Sequence, residues 1–198
     1  MLMNERIANF PQQMREAIAI GEKAQLSAAT NKIQNVLITG LGGSGIGGSV
    51  FSQIVDKEIS VPVLVNKDYF IPAFVNENTL VIISSYSGNT EETVQAMEAA
   101  LKQNAKICCV TSGGKIKEMA EANGCDMILI PGGNPPRSCF GYSFTQLFYI
   151  LDFHQLISTA HRSDLAASVE LLDKEQATIR NKARAVAESL VEIGRAHV

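Results

Sequence analysis

Apolar residues recur along this chain in two alternating rhythms. Short continuous apolar runs stand at Asn35–Thr39, 61–65, 79–83, 105–111 and 126–130. Helical spacing of apolar positions covers 4–25, the stretch up to Val55, 90–103, 115–123, 142–157 and 164–192. Strands without polar alternation belong in a sheet covered on both faces. Their regular exchange with amphipathic helices predicts a parallel, doubly wound α/β domain of three layers, with five strands and a flavodoxin-like order. We divide the chain into an N-terminal helix packed on the domain (1–30), the domain itself (31–160) and a helix leading away from it (161–191). Residues 192–198 break the helical pattern and resemble the in-frame translation of a sequencing adapter, so they are expected to be non-native.

In such sheets ligands bind beyond the C-terminal ends of the strands. Two segments that leave strands there are unusual. The first, 40–48, reads Gly-Leu-Gly-Gly-Ser-Gly-Ile-Gly-Gly and is expected to be a glycine-rich loop. The second, 84–92, reads Ser-Ser-Tyr-Ser-Gly-Asn-Thr-Glu-Glu, and the helix after it offers its positive end. Backbone N–H groups and clustered hydroxyls in such a place form a cradle for an anion, a phosphate monoester above all. Asn89 is the expected N-cap, with Glu92 as its partner in a capping-box variant, and Glu91 and Glu92 then favour the helix dipole without a catalytic role. Capping leaves the preceding serines unexplained, which favours a binding role for them.

Two better-known phosphate sites fit poorly. Gly40, Gly42 and Gly45 match the dinucleotide pattern G-x-G-x-x-G, yet the second strand runs into Asn66 where a ribose-binding carboxylate is required. A P-loop needs Lys-Ser/Thr after its glycines, and Ser49-Val50 stands there instead. Without that lysine the charge clamp for phosphoryl transfer is missing. The phosphate is therefore read as a handle that is held. A third segment, Asn134-Pro-Pro-Arg-Ser-Cys-Phe-Gly-Tyr, mounts Arg137 just past the fifth strand, where it can stabilise a developing oxyanion. On pattern alone, a plain surface arginine fits Arg137 equally well.

Composition narrows the field. The chain has 198 residues, 46% of them hydrophobic and 19% charged, with a formal net charge of −3. That balance gives no support for nucleic-acid binding. The first ten residues are not a signal peptide, and the apolar stretch 144–157 is interrupted by Gln146, Asp152, His154 and Gln155, so no membrane span is expected. Cys108, Cys109, Cys125 and Cys139 form no C-x-x-C pair and read as reduced thiols of a cytoplasmic protein, with Cys108 and Cys109 facing opposite sides of one strand.

Together the segments at 40–48, 85–93 and 135–142 resemble the SIS (sugar isomerase) domain family, most narrowly the N-terminal half of bifunctional phosphoglucose/phosphomannose isomerases. The likeness covers residues 4–191. It implies that Ser44, Ser85, Ser87 and Thr90 hold a sugar phosphate, that Gly42 and Gly43 approach the substrate through the backbone, and that Arg137 lies beside the reacting C1–C2 carbons. It further implies isomerisation of glucose or mannose 6-phosphate to fructose 6-phosphate through an enediolate, without metal or redox cofactor. In that family the carboxylate base, a ring-opening histidine and a lysine belong to a second SIS half, and the enzyme is a dimer. The resemblance thus implies a piece of a longer homodimeric enzyme that binds phosphosugar weakly by itself and does not turn it over. Its second long helix, bereft of partners, is expected to expose Leu165, Val169, Leu172, Ile179 and Val186. A non-catalytic, phosphosugar-sensing SIS domain of a regulator is the alternative, although no basic helix-turn-helix stretch is visible in residues 1–30.

Overall fold

The structure, a computed structural model, describes residues 2–190; the adapter-like stretch 192–198 lies outside them. Five parallel strands, β1 (Asn35–Thr39), β2 (Val63–Asn66), β3 (Thr79–Ser85), β4 (Lys106–Thr111) and β5 (Asp126–Leu129), form one sheet in the order β2-β1-β3-β4-β5. That is the flavodoxin-like order expected from the alternating pattern. The central strand β3 is buried at every position. The second strand begins two residues later than its apolar run, because Val61 and Pro62 belong to the turn that enters it.

Successive strand residues face opposite layers, and the core divides accordingly. Val36, Ile38, Leu80, Ile82, Cys108 and Val110 pack under helices α2 (Phe10–Glu22), α3 (Gly42–Val55), α6 (Phe140–Phe153) and α7 (Ala160–Leu190). Leu37, Val81, Ile83, Ile107 and Cys109 pack under α4 (Glu91–Lys102) and α5 (Gly114–Asn123). The adjacent thiols Cys108 and Cys109 therefore face opposite sides, and burial pushes both above the ordinary thiol range. Gly124, with φ of 64°, closes α5 in the left-handed conformation that glycine adopts freely.

Four expectations need correction. The N-terminal helix is two: α1 (Met3–Ala8) stops at Asn9, and α2 restarts with Pro11 in its first turn, where the missing N–H costs nothing. The glycine-rich segment is mostly helix. Only Gly40 and Leu41 connect β1 to α3, and a Cβ at Gly45 would stand 2.5 Å from the Gly40 carbonyl oxygen. Those glycines let a helix start hard against a strand end. Asn89 is not the N-cap of α4; Thr90 is, and Glu92 then falls outside a capping box. Finally, α7 does not expose all of its apolar positions. Leu165 and Val169 are buried in the core beneath it and Leu172 is half-buried, while Ile179 and Val186 are exposed.

Candidate functional site

The sheet reverses its winding between β1 and β3, and the segments leaving these two strands part there to open a crevice. A pocket of about 250 Å³ lies at this point. Gly42, Gly43 and Ser44 line one wall, Ser84, Ser85, Ser87 and Thr90 another, with Tyr86, Pro136, Cys139, Phe140 and Ser143 completing it. All six residues expected to bind phosphosugar (Gly42, Gly43, Ser44, Ser85, Ser87 and Thr90) thus meet in one cavity.

Each wall is built for a reason. Helix α3 begins with Leu41 in extended conformation as its N-cap and no capping side chain. Gly42 and Gly43, its first two residues, have no carbonyl one turn earlier to donate to, so the positive helix end opens on the pocket. Gly42 sits at φ of 53°, which glycine takes without strain. Helix α4 presents a second uncapped N-terminus: Thr90 makes no capping bond, and its Oγ1 lies 3.3 Å from Ser85 Oγ. Both hydroxyls keep capacity for another acceptor. Ser44 and Ser85 are buried, whereas Ser87 is exposed at the mouth.

The hydroxyl loop is fixed from beside it by the turn after β4. Ser112 N and Oγ both donate to the Tyr86 carbonyl, at 3.0 and 2.6 Å, and Ile116 N donates to the Gly88 carbonyl at 2.9 Å. Asn89 Oδ1 accepts from Lys115 N at 3.0 Å, which is where the side chain expected to cap α4 is spent. Gly88 has φ of 69°, and a Cβ there would meet the Gly113 carbonyl oxygen at 1.8 Å. Only glycine lets the two turns close on one another.

No lining residue is charged among those described. Tyr86 is the sole ionisable group besides Cys139. Burial, and then its hydrogen bond to Cys139, pushes the Tyr86 phenol above its usual range, so it stays neutral. Its oxygen accepts from Asn134 N at 3.0 Å. The pocket can hold an anion by helix ends, N–H groups and hydroxyls, but offers no base that would take a proton from carbon. Arg137 stands outside the lining. It occupies a 3-10 turn, Pro136–Ser138, whose neighbours Pro136 and Cys139 reach the pocket, while the arginine itself is exposed. No hydrogen bond or ion pair with the described residues holds its side chain.

Sequence reading missed two features of the site. A Cβ at Gly45 would lie 3.4 Å from Lys67 Cε, so a lysine from the end of β2 stands beside the first turn of α3. Only the strand order, which sets β2 next to β1, could have brought it there. Phe140 and Ser143, from the start of α6, also line the pocket, although Phe140 stood in the segment read only for Arg137 and Ser143 in a core helix.

Comparison with known proteins agrees with this architecture. The SIS domain family profile matches residues 30–132, just over half of the chain, and the chain belongs to that family. It is 47% identical over 148 residues to the bifunctional phosphoglucose/phosphomannose isomerase of Caldicellulosiruptor bescii, a match to 75% of this chain and 44% of that protein, in its N-terminal part. It is 38% identical over 120 residues to a D-glucosamine-6-phosphate 4-epimerase of Sulfolobus acidocaldarius, covering 60% of this chain and 38% of that one. The chain thus spans less than half the length of these relatives. A Clostridium difficile structure, provisionally described as a phosphosugar isomerase, superposes with a TM-score of 0.77 over 97% of this chain and 57% of its own at 20% identity, a likeness of fold. No helix among the described residues is long and apolar enough to cross a membrane.

Proposed function

We propose that this chain is the phosphosugar-binding SIS domain of a cytoplasmic aldose–ketose isomerase acting between glucose or mannose 6-phosphate and fructose 6-phosphate. The observation that carries the reading is the pocket at the switch point: two uncapped helix N-termini and the hydroxyls of Ser44, Ser85, Ser87 and Thr90 converge without a charged side chain. A dianionic phosphate answers that electrostatic demand. Gly42 and Gly43 then follow the sugar with their backbone, and Arg137 at the rim meets charge that develops on the C1–C2 oxygens of an enediolate.

The pocket's lack of a base divides the labour. The proton transfer between C1 and C2 falls to groups in further polypeptide, a second SIS domain toward which α7 leads, in a homodimer when full length. This assignment draws support from the length of the relatives, more than twice the matched segment. A domain that only senses phosphosugar would use the same pocket, and the epimerase relative shows the domain in a differently named enzyme. Calorimetry or thermal shift of residues 1–198 with fructose 6-phosphate, 5-phosphoarabinonate and NAD tests the reading. Binding of the two phosphosugars is expected; a response to NAD alone overturns it. Isomerisation by the isolated chain would refute the division of labour, and a full-length protein that binds but never isomerises would favour sensing.

A further inference from the structure

The turn that carries Arg137 is held from outside the family match. Helix α2 lies before residue 30 and the turn after residue 132, so both flank the matched part. They meet through one buried amide. Gln13 Nε2 donates to the Ser138 carbonyl at 2.7 Å, and Gln13 Oε1 accepts from Gly141 N at 2.9 Å. Gln13 is only 9% exposed. Both ends of one side chain thus bracket the exit of the Arg137 turn and the first turn of α6. Gly141 is shaped for this contact, since a Cβ there would stand 2.7 Å from Gln13 Oε1. The entrance of the same segment is tied as well: Arg6 Nη1 donates to Asn134 Oδ1, and Asn134 N donates to the Tyr86 hydroxyl.

No described partner holds the Arg137 side chain, so its place beside the pocket follows from the backbone of its turn, whose residues Pro136 and Cys139 line the pocket. We infer that Gln13 is a positioning residue for Arg137, and that the α1–α2 segment is the part of the molecule that sets how the sugar end of a phosphosugar is met. The phosphate end is held by the α3 and α4 walls, which neither hydrogen bond of Gln13 touches. This assignment rests on the reading of the pocket as a phosphosugar site.

Four proteins test it: Q13M, Q13E, R137A and the double variant Q13M/R137A, each measured calorimetrically with fructose 6-phosphate and with inorganic phosphate. Loss of a charged contact weakens binding about tenfold, and Q13M should lose that much toward fructose 6-phosphate. Its binding of inorganic phosphate should stay within about twofold, below the cost of one neutral hydrogen bond. The double variant should bind no worse than R137A, because two residues acting through one contact do not add. Q13E keeps the acceptor for Gly141 N but loses the donor to the Ser138 carbonyl, and should show the same selective loss toward fructose 6-phosphate. Trypsin gives a readout that needs no ligand: native Q13M should be cut after Arg137 faster than the unsubstituted chain, with other sites unchanged. Losses that multiply in the double variant, equal losses for both ligands, or unchanged cleavage after Arg137 overturn the assignment. Should Q13M not fold by circular dichroism, Q13E carries the same comparisons. If the unsubstituted chain binds fructose 6-phosphate no better than phosphate, the functional reading falls and the assignment to sugar recognition with it; the tryptic result still decides whether Gln13 holds the turn.

Discussion

Among the four hydroxyl residues expected to bind phosphosugar, Ser85 is the most deeply buried. It ends the most buried strand, is 3% exposed, and its Oγ has one neighbour, the Thr90 hydroxyl. A hydroxyl bonded to a dianion contributes about 1.5–3 kcal/mol, so Ser85→Ala should weaken phosphosugar binding by a factor of ten or more. Folding stability should change by about 1 kcal/mol or less, since a single neutral hydrogen bond is lost. Calorimetry and urea unfolding on the same protein separate the two; a large stability loss with unchanged affinity would mark Ser85 as structural. The hydroxyls of this site were legible in the sequence because their chemistry resides in residue type and their placement in one strand-to-helix step. The Asn89 cap was not. Whether its side chain bonds its own helix or the turn after β4 depends on a neighbour 26 residues away, and Lys115 N takes it. Lys67 was hidden for the same reason, since its nearness to Gly45 follows from strand order and not from spacing along the chain.

Between elements, glycines decide how close helices and strands come. Gly21 on α2 lies against the Tyr149 ring of α6, and a Cβ there would stand 2.1 Å from Tyr149 Cδ2. Alanine is worth about 1 kcal/mol more than glycine in a helix, but overpacking a tight contact costs about 1–3 kcal/mol. The overlap is deep enough that the clash should win: Gly21→Ala is expected to destabilise by about 1–2 kcal/mol net. Tyr149→Leu in the same chain should recover part of that loss, because the two changes share one contact. Additive losses in urea unfolding would rule the contact out as the cause. The number of strands was readable from their apolar runs, and helix limits mostly from spacing. The break at Asn9 and the helical state of Gly42–Gly48 were not, because periodicity does not distinguish one helix from two separated by a single residue, and five glycines read as a loop until a strand end requires a close approach.

His154 caps the end of α6 and links this layer to pH. Burial, and next the positive charge of Lys106, hold its imidazole below the usual 6.5, with Asp126 opposing. In the folded protein it therefore stays neutral where the unfolded chain takes up a proton. Stability is expected to be level above about pH 7 and to fall as the pH drops below the ordinary histidine value. The lowered Glu58 carboxyl adds a similar loss only at more acid pH, near and below its usual 4.5. Thermal midpoints at pH 7.5 and 5.5 should differ for the unsubstituted chain and draw together in His154→Gln; an unchanged difference would assign the slope to other groups.

For the molecule as a whole, α7 raises the question of where the folded unit ends. Its first half belongs to the domain: Leu165 and Val169 are core residues, Arg15 pairs with Asp173, and Gln176 Nε2 donates to the Ala8 carbonyl at 2.7 Å. After Gln176 every described residue is exposed, Ile179, Val186 and Leu190 among them. An isolated helix of about a dozen residues is marginal in water, so this half contributes little to the stability of what precedes it. Two outcomes follow. Backbone amides after Gln176 should exchange with solvent far faster than those of 161–175, whose opening requires the core to open. A chain stopped after Gln176 should keep the thermal midpoint of the full chain to within about 2 °C, the shift that a few tenths of a kcal/mol produces in a domain of this size. Slow exchange throughout α7, or a midpoint several degrees lower in the shortened chain, would mean that the exposed half is already covered in solution. Its apolar row would then be satisfied by association of the chain with itself, and sedimentation of the full and shortened chains side by side would show the difference in mass.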